Sequence, residues 1–392
     1  MTTTPKGPFS GLLVLDLTRV LAGPYAALMM AELGARVIKI EPPEGDDARR
    51  YGPFITGENG VAKSGYFMSI NRGKESIALD LKKPDDRRIF ETLLARADVL
   101  IENYRGGTME RLGYGWDSLK DKYPRLICAA VSGFGHTGPY AARPAYDMVV
   151  QAMGGIMSLT GQPGGPPTRV GTSVGDLTAA LFGTVGIASA LYDREKTGRG
   201  QKVDVGMLDC QVAILENAIA RYVATGEVPG PLGTRHPSIA PFAAFKTQDE
   251  YIVIAAGNDA LFAKATKVLG HEEWSRDPRF ATNPARIEHL DALHSEMESA
   301  LAARGAKEWL ALLGAEGVPC APINDIAAVM ADPQVLARNM IVTAADPDLG
   351  SVRMQGNPIK LSSYEDPQTR AAAPGLDDGR KAILRELGFP AA

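Results

Sequence analysis

LLVLDLTRVLAGPYAALMMAELGARVIKIE, residues 12–41, decides the fold. Residues 12–17 form a short apolar run of strand type. Gly23-Pro24 then opens a helical segment, with proline in the first turn, where its missing N–H costs no hydrogen bond. Tyr25, Leu28, Met29 and Leu33 recur on one face at helical spacing. Gly34 sits where a glycine ends a helix. Residues 36–41 read as a second strand, stopped by Pro42-Pro43. A strand–helix–strand unit with such short connections makes its two strands parallel.

The alternation continues outward. Residues 76–81 read as strand, 85–97 as helix, 98–104 and 126–134 as strands, 176–196 as a long helix and 201–207 as a returning strand. Near 225 the character changes. Gly226, Pro229, Gly230, Pro231 and Gly233 make a loop, and residues 242–247 and 251–256 flank the Gln248-Asp249 turn as an antiparallel hairpin. Helical patterns follow over 259–269, 286–304 and 306–313. The expected fold is α/β, with a large domain over 1–224 built on a parallel sheet and completed by a C-terminal segment, 326–392. A smaller α+β domain spans 225–325.

A chain of 392 residues suits two or three such units, at about 100–200 residues each. Its apolar fraction of 45% and charged fraction of 22% exclude a disordered or collagen-like chain. Its formal charge of −4 argues against a nucleic-acid partner, which calls for a basic excess. Cys128, Cys210 and Cys320 are scattered in apolar runs with no CxxC pair, so they read as buried inert thiols rather than as disulfides or metal ligands. The first seven residues carry no apolar leader pattern, and the longest apolar runs, such as 179–191, fall short of the roughly 20 residues of a membrane span. The expectation is a cytoplasmic enzyme with no membrane partner.

Several residues could carry chemistry. Gly133-Phe134-Gly135-His136-Thr137-Gly138 matches GxGxxG after a strand, but Pro139 and Pro144 leave no room for the helix a dinucleotide site needs. The loop serves better as a substrate wall. Asp176, in Gly171-Thr172-Ser173-Val174-Gly175-Asp176, heads an apolar helix. It reads as a helix cap, or as a carboxylate kept ionised by the helix dipole and made approachable by Gly175, able to act as a covalent nucleophile. Asp147 reads as another cap, and His236 as a loop histidine. Arg72, Lys74, Lys82, Arg105 and Arg111 lie near predicted strand ends, where they form either a solvated face or a polyphosphate site.

Taken in order, residues 15–24, 33–41, Asn71-Arg72-Gly73-Lys74, Glu102-Asn103-Tyr104, Gly133-Phe134-Gly135, Gly175-Asp176, Lys196-Thr197-Gly198-Arg199-Gly200-Gln201 and Gly317-Val318-Pro319-Cys320 resemble class III CoA-transferases over nearly the whole length. That family (the formyl-CoA transferase and carnitine CoA-transferase type) implies a Rossmann-like large domain, a small domain and an interlocked homodimer. It puts the nucleophile on Asp176. The implied chemistry moves CoA from an acyl-CoA to a carboxylic acid through an aspartyl-CoA thioester. Because thioester energy is conserved, that chemistry calls for no metal, no ATP and no permanently bound cofactor.

The resemblance also implies CoA contacts. Val20, Leu21 and Ala22 would line the nucleotide, and Leu79 and Lys82 the adenosine-phosphate end. Asn103, Tyr104 and Arg111 would hold the pyrophosphate and pantetheine, with Arg143 beside them and Tyr146 at the substrate. The small-domain loop, residues 233–242, lacks the glycine run of formyl-CoA transferases and resembles the succinate–hydroxymethylglutarate branch. That favours succinyl-CoA with a short dicarboxylic acid over oxalate or formate, with Arg235 or His236 recognising the far carboxylate and Arg19 and Arg169 as weaker candidates. The alternative is an α-methylacyl-CoA racemase of the same fold. Racemisation needs two bases, and the histidine used there is replaced by Tyr146, a poor base at neutral pH.

Overall fold

The computed structural model describes residues 6–390; Met1–Pro5, part of the segment read for a leader, and residues 391–392 lie outside the described residues. By internal contacts the chain divides into two units, one of 1–157, 169–227 and 333–392, the other of 158–168 and 228–332. No sequence feature separates 158–168 from its surroundings.

The first unit is built on six parallel strands: β1 (Leu13–Asp16), β2 (Arg36–Glu41), β3 (Glu75–Ala78), β4 (Val99–Glu102), β5 (Ile127–Ser132) and β6 (Lys202–Gly206). They lie in the order β3-β2-β1-β4-β5-β6, with Val14 opposite both Val37 and Val99. Helices α1 (Ala22–Glu32), α2 (Pro84–Leu94), α3 (Asp147–Met153), α4 (Val174–Thr197) and α5 (Arg380–Leu387) belong to the same unit.

Successive strand residues point to opposite faces, so adjacent apolar residues serve two layers. Val14, Val37, Val99 and Ile127 pack with Ala27 and Met30 of α1 and with Ile187 and Leu191 of α4. Leu15, Ile38, Ile77 and Leu100 pack with Phe90 and Leu93 of α2 and with Ile383 and Leu384 of α5. Burial on both faces explains why these strands read as continuous apolar runs.

Three features depart from the sequence reading. Helix α4 begins at Val174 rather than 176 and runs 24 residues, long and apolar enough to cross a membrane by length and composition. Its buried side lies against β5 and β6, and Leu181, Phe182, Val185 and Tyr192 stay exposed. A three-stranded sheet of β10 (Ile341–Asp346), β11 (Gly350–Gln355) and β12 (Thr369–Ala371) completes the first unit. Two basic residues read as part of a solvated face or a polyphosphate site are buried instead. Arg72 Nε donates to Glu32 at 2.8 Å, and Lys74 Nζ donates to Asp16, Asn71 and the Pro24 carbonyl. Their charges are consumed inside the protein.

The second unit holds an antiparallel sheet of β7 (Phe242–Lys246), β8 (Tyr251–Ala255) and β9 (Cys320–Pro322), the last unforeseen. The helix expected over 286–304 is two, Asn283–Glu288 and Leu290–Leu301, parted at His289. Arg286 is fully buried, donating to the Ala240 and Phe280 carbonyls and to Asp259.

Candidate active site

Ligands of open parallel sheets bind beyond the carboxyl ends of the strands. Here the loops after β1, β4 and β5 converge there on a cavity of about 400 Å³. The first loop supplies Arg19, Val20, Leu21 and Ala22, and the second Asn103, Tyr104, Arg105, Thr108 and Arg111. The end of β5 supplies Ser132, and the loop after it Gly133, Arg143 and Tyr146. Asp176, in the first turn of α4, completes the wall. Four arginines face two carboxylates, Asp47 and Asp176, so the cavity suits a polyanion. Of the GxGxxG residues Gly133 lines the cavity, and α3 begins only at Asp147.

Asp147 Oδ1 accepts the Gly175 N–H at 2.9 Å, and Oδ2 accepts from Gln151 at 2.8 Å and Arg169 at 3.2 Å. It therefore ties α3 to the start of α4, a larger role than the local cap read from sequence. Gly175 is explained by the same contact. A Cβ there would lie 2.6 Å from Val150 Cγ2 and 3.0 Å from Asp147 Oδ1, so the glycine lets two helices meet rather than admitting a substrate. The Asp176 carboxylate has no hydrogen bond or ion pair among the described residues. Burial, and secondarily the charge of Asp147, push its carboxyl up to about 7. Desolvation thus works against the helix dipole expected from the sequence to hold this carboxylate ionised. What results is a half-buried carboxylate without a side-chain partner, facing a cationic cavity.

A model of CoA-transferase family III matches residues 9–380. The chain belongs to CoA-transferase family III. The acetyl-CoA:oxalate CoA-transferase of Acetobacter aceti is 49% identical over 390 residues, 99% of this chain and 98% of that one. The succinate–glutarate CoA-transferase of Agrobacterium fabrum is 38% identical over 396 residues, 99% of this chain and 98% of that one. The crystal structure of a CAIB/BAIF family protein from Brucella suis superposes with a TM-score of 0.86 at 41% identity, covering 97% of this chain and 100% of that one. The higher identity lies with a protein named for oxalate, so identity gives no reason to set oxalate aside, contrary to the reading of residues 233–242.

Within this family III CoA-transferase, nine of the expected site residues share one cavity: Val20, Leu21, Ala22, Asn103, Tyr104, Arg111, Arg143, Tyr146 and Asp176. Leu79 and Lys82 line a second cavity, of about 370 Å³, which shares Arg19 and Tyr104 with the first. Asn103 is not free to bind a ligand with its amide. Its Oδ1 accepts the Arg19 N–H at 2.9 Å and its Nδ2 donates to the Arg19 carbonyl at 2.7 Å, so it clamps the first loop. Beneath Tyr104, Glu102 Oε2 accepts the Tyr104 N–H at 2.6 Å, while Oε1 lies 3.5 Å from His136 Nε2. Burial pushes the Glu102 carboxyl up to about 8.

Arg235 and His236 belong to the second unit. Arg235 donates to Asp291 at 2.7 Å and lines a cavity of about 1,090 Å³ together with Glu250, Glu298 and Asp325, a setting that opposes a second carboxylate. His236 Nδ1 accepts the Ser238 N–H at 3.1 Å. Arg19, Arg105, Thr108 and Ser132 line the first cavity without having been singled out as its principal residues. Their place on the loops after β1 and β4 and at the end of β5 was the available signal. All three thiols are free, and burial pushes Cys128 up to about 12 and Cys210 up to about 11, which keeps them protonated and inert.

Proposed function

We propose that this enzyme transfers CoA from an acyl-CoA donor to a short dicarboxylic acid through covalent attachment to Asp176. The observation that carries the reading is Asp176 itself, an unpaired and desolvated carboxylate in a cavity walled by four arginines. Its oxygen attacks the thioester carbonyl, the C–S bond breaks, and a mixed anhydride and CoA thiolate form. The thiolate attacks the aspartyl carbonyl, releasing the donor acid and leaving aspartyl-CoA. The acceptor carboxylate attacks that thioester and expels the thiolate. The thiolate then takes the acceptor's acyl group and returns the carboxylate. Each half replaces one difficult displacement with two easier ones.

The relatives' names, a succinyl-CoA:glutarate CoA-transferase of Mus musculus among them, support acetyl-CoA or succinyl-CoA as donor and oxalate or glutarate as acceptor. For the acceptor's far carboxylate we favour Arg19, which lines the cavity of Asp176 and is only loosely paired with Asp47 at 3.7 Å, over the neutralised Arg235. Arg19→Ala should raise the acceptor KM at least fivefold, while Arg235→Ala leaves it within twofold. The exposed apolar face of α4 supports a homodimer, to be read by light scattering in solution, and a cytoplasmic location belongs to the same reading. No observation favours the racemase.

The decisive experiment incubates the protein with succinyl-CoA or acetyl-CoA and traps with hydroxylamine. A hydroxamate on the peptide bearing Asp176, ping-pong kinetics and loss of turnover in Asp176→Ala are expected. Exchange of the α-proton of a 2-methylacyl-CoA without an adduct would instead establish the racemase.

A further inference from the structure

The first loop of the active-site cavity is held in a conformation its residues do not prefer. Three non-glycine residues among those described have positive φ, and Val20, at +67°, is the β-branched one. For such a side chain this region is strained, and it persists only where the surroundings over-determine it. The surroundings here do so at each peptide. The Thr18 amide and hydroxyl both donate to Asp16 Oδ1. The Thr18 carbonyl accepts from Lys39 Nζ at 2.7 Å. Arg19 is clamped on both sides by Asn103. The Val20 N–H donates to Asp46 Oδ1 at 3.1 Å.

Asp46 is central to this arrangement. It lies on the loop after β2 and does not line the cavity. Its Oδ2 is 2.9 Å from Lys39 Nζ, and both side chains are at most 1% exposed. Its Oδ1 also caps the short turn Asp47–Arg50 through the Ala48 N–H. One buried ion pair thus grips the chain on both sides of Arg19, at the Thr18 carbonyl and at the Val20 amide. Burial would strip the proton from Lys39, but Asp16, Asp46 and Glu41 hold it charged. The ion pair therefore remains intact in the interior.

We propose that Asp46 is a positioning residue. Anchored by Lys39, it keeps Val20 left-handed and so sets the Val20-Leu21-Ala22 wall against which the CoA thioester is aligned, a role resting on the reading of this cavity as the CoA site. Without the grip, Val20 relaxes to a negative φ and the wall turns away. Asp46→Asn should then raise the acyl-CoA KM on the order of tenfold, the size of effect that released backbone strain supports. The acceptor KM should rise with it, because the released segment also carries Arg19.

The rescue separates positioning from general damage. Glycine takes positive φ at no steric cost, so Val20→Gly in the Asp46→Asn background should recover at least half of the lost affinity for CoA, measured by titration calorimetry as well as by KM. An unchanged KM in Asp46→Asn, or a double variant no better than the single one, overturns the proposal. Should Asp46→Asn yield no folded protein, Val20→Gly is compared with the double variant. Values within twofold support the proposal, and a fivefold or larger gap overturns it. Wild-type protein that binds CoA but shows no turnover overturns the functional reading alone, whereas failure to bind CoA overturns both.

Discussion

Replacing Asp176 by asparagine tests whether its carboxylate is desolvated rather than merely present. The side chain is isosteric, so the change removes charge and little else. Burial and Asp147 raise the carboxyl from its ordinary 3.8 to about 7. At about 1.36 kcal/mol per pH unit, that displacement corresponds to about 4 kcal/mol against the folded, ionised state. The group faces an open cavity, so solvent returns part of this, and about 1–3 kcal/mol is expected. The folded protein binds this proton more tightly than the unfolded chain does. Below about pH 4 the group is mostly protonated in both states and contributes little. Between about pH 4 and 7 the unfolded chain ionises first, and wild-type protein progressively loses stability relative to Asp176→Asn. Above pH 7 the difference is constant. Urea unfolding of both proteins at pH 4 and pH 8.5 should show agreement at the first and a more stable variant at the second. The same displacement predicts that kcat/KM of the wild type falls tenfold per pH unit below about 6, because only the ionised carboxylate attacks. An acid limb near pH 4, or a stability difference independent of pH, would refute the account of Asp176 as poised by burial.

Asp147→Asn removes the like charge near Asp176, so the acid limb of kcat/KM should move down by about half a pH unit to one, read from the same profile. Gly175→Ala places a methyl group against Val150 and Asp147 and should cost about 1–3 kcal/mol in urea unfolding, with kcat falling as α3 and α4 separate. Arg286→Met strands the Ala240 and Phe280 carbonyls inside the second unit and should cost about 2–4 kcal/mol. A calorimetric trace that does not change would show that those carbonyls find other partners.

Much of the framework was legible along the chain. The run from residue 12 to 41 reads as strand, helix and strand because Gly23-Pro24 and Gly34 bracket the helix, and β1, α1 and β2 form there. Helix α1 nevertheless packs on the strands through Ala27 and Met30 rather than through the Tyr25, Leu28, Met29 and Leu33 face. The helix Asp259–Leu269, with Asn258 accepting from Leu261 N–H at its start, is equally local in origin. The three-residue strands β9 and β12 were missed because strands so short are decided by the partners they find, whereas residues 351–355 of β11 alternate polar and apolar and carried a readable strand signal.

The candidate site divides along the same line. That Asp176 heads a helix beside a glycine is a property of neighbouring residues, visible in sequence. That its carboxyl is desolvated, that Gly175 serves helix packing and that Asn103 spends its amide on Arg19 all depend on groups far away along the chain. Lys74 and Asp16 lie 58 residues apart, and Arg19 and Asn103 lie 84 apart. Local spacing sets secondary structure because hydrogen-bonding period and side-chain direction act within a few residues. The fate of a charge depends on the dielectric and the partners around it, and folding alone brings those together.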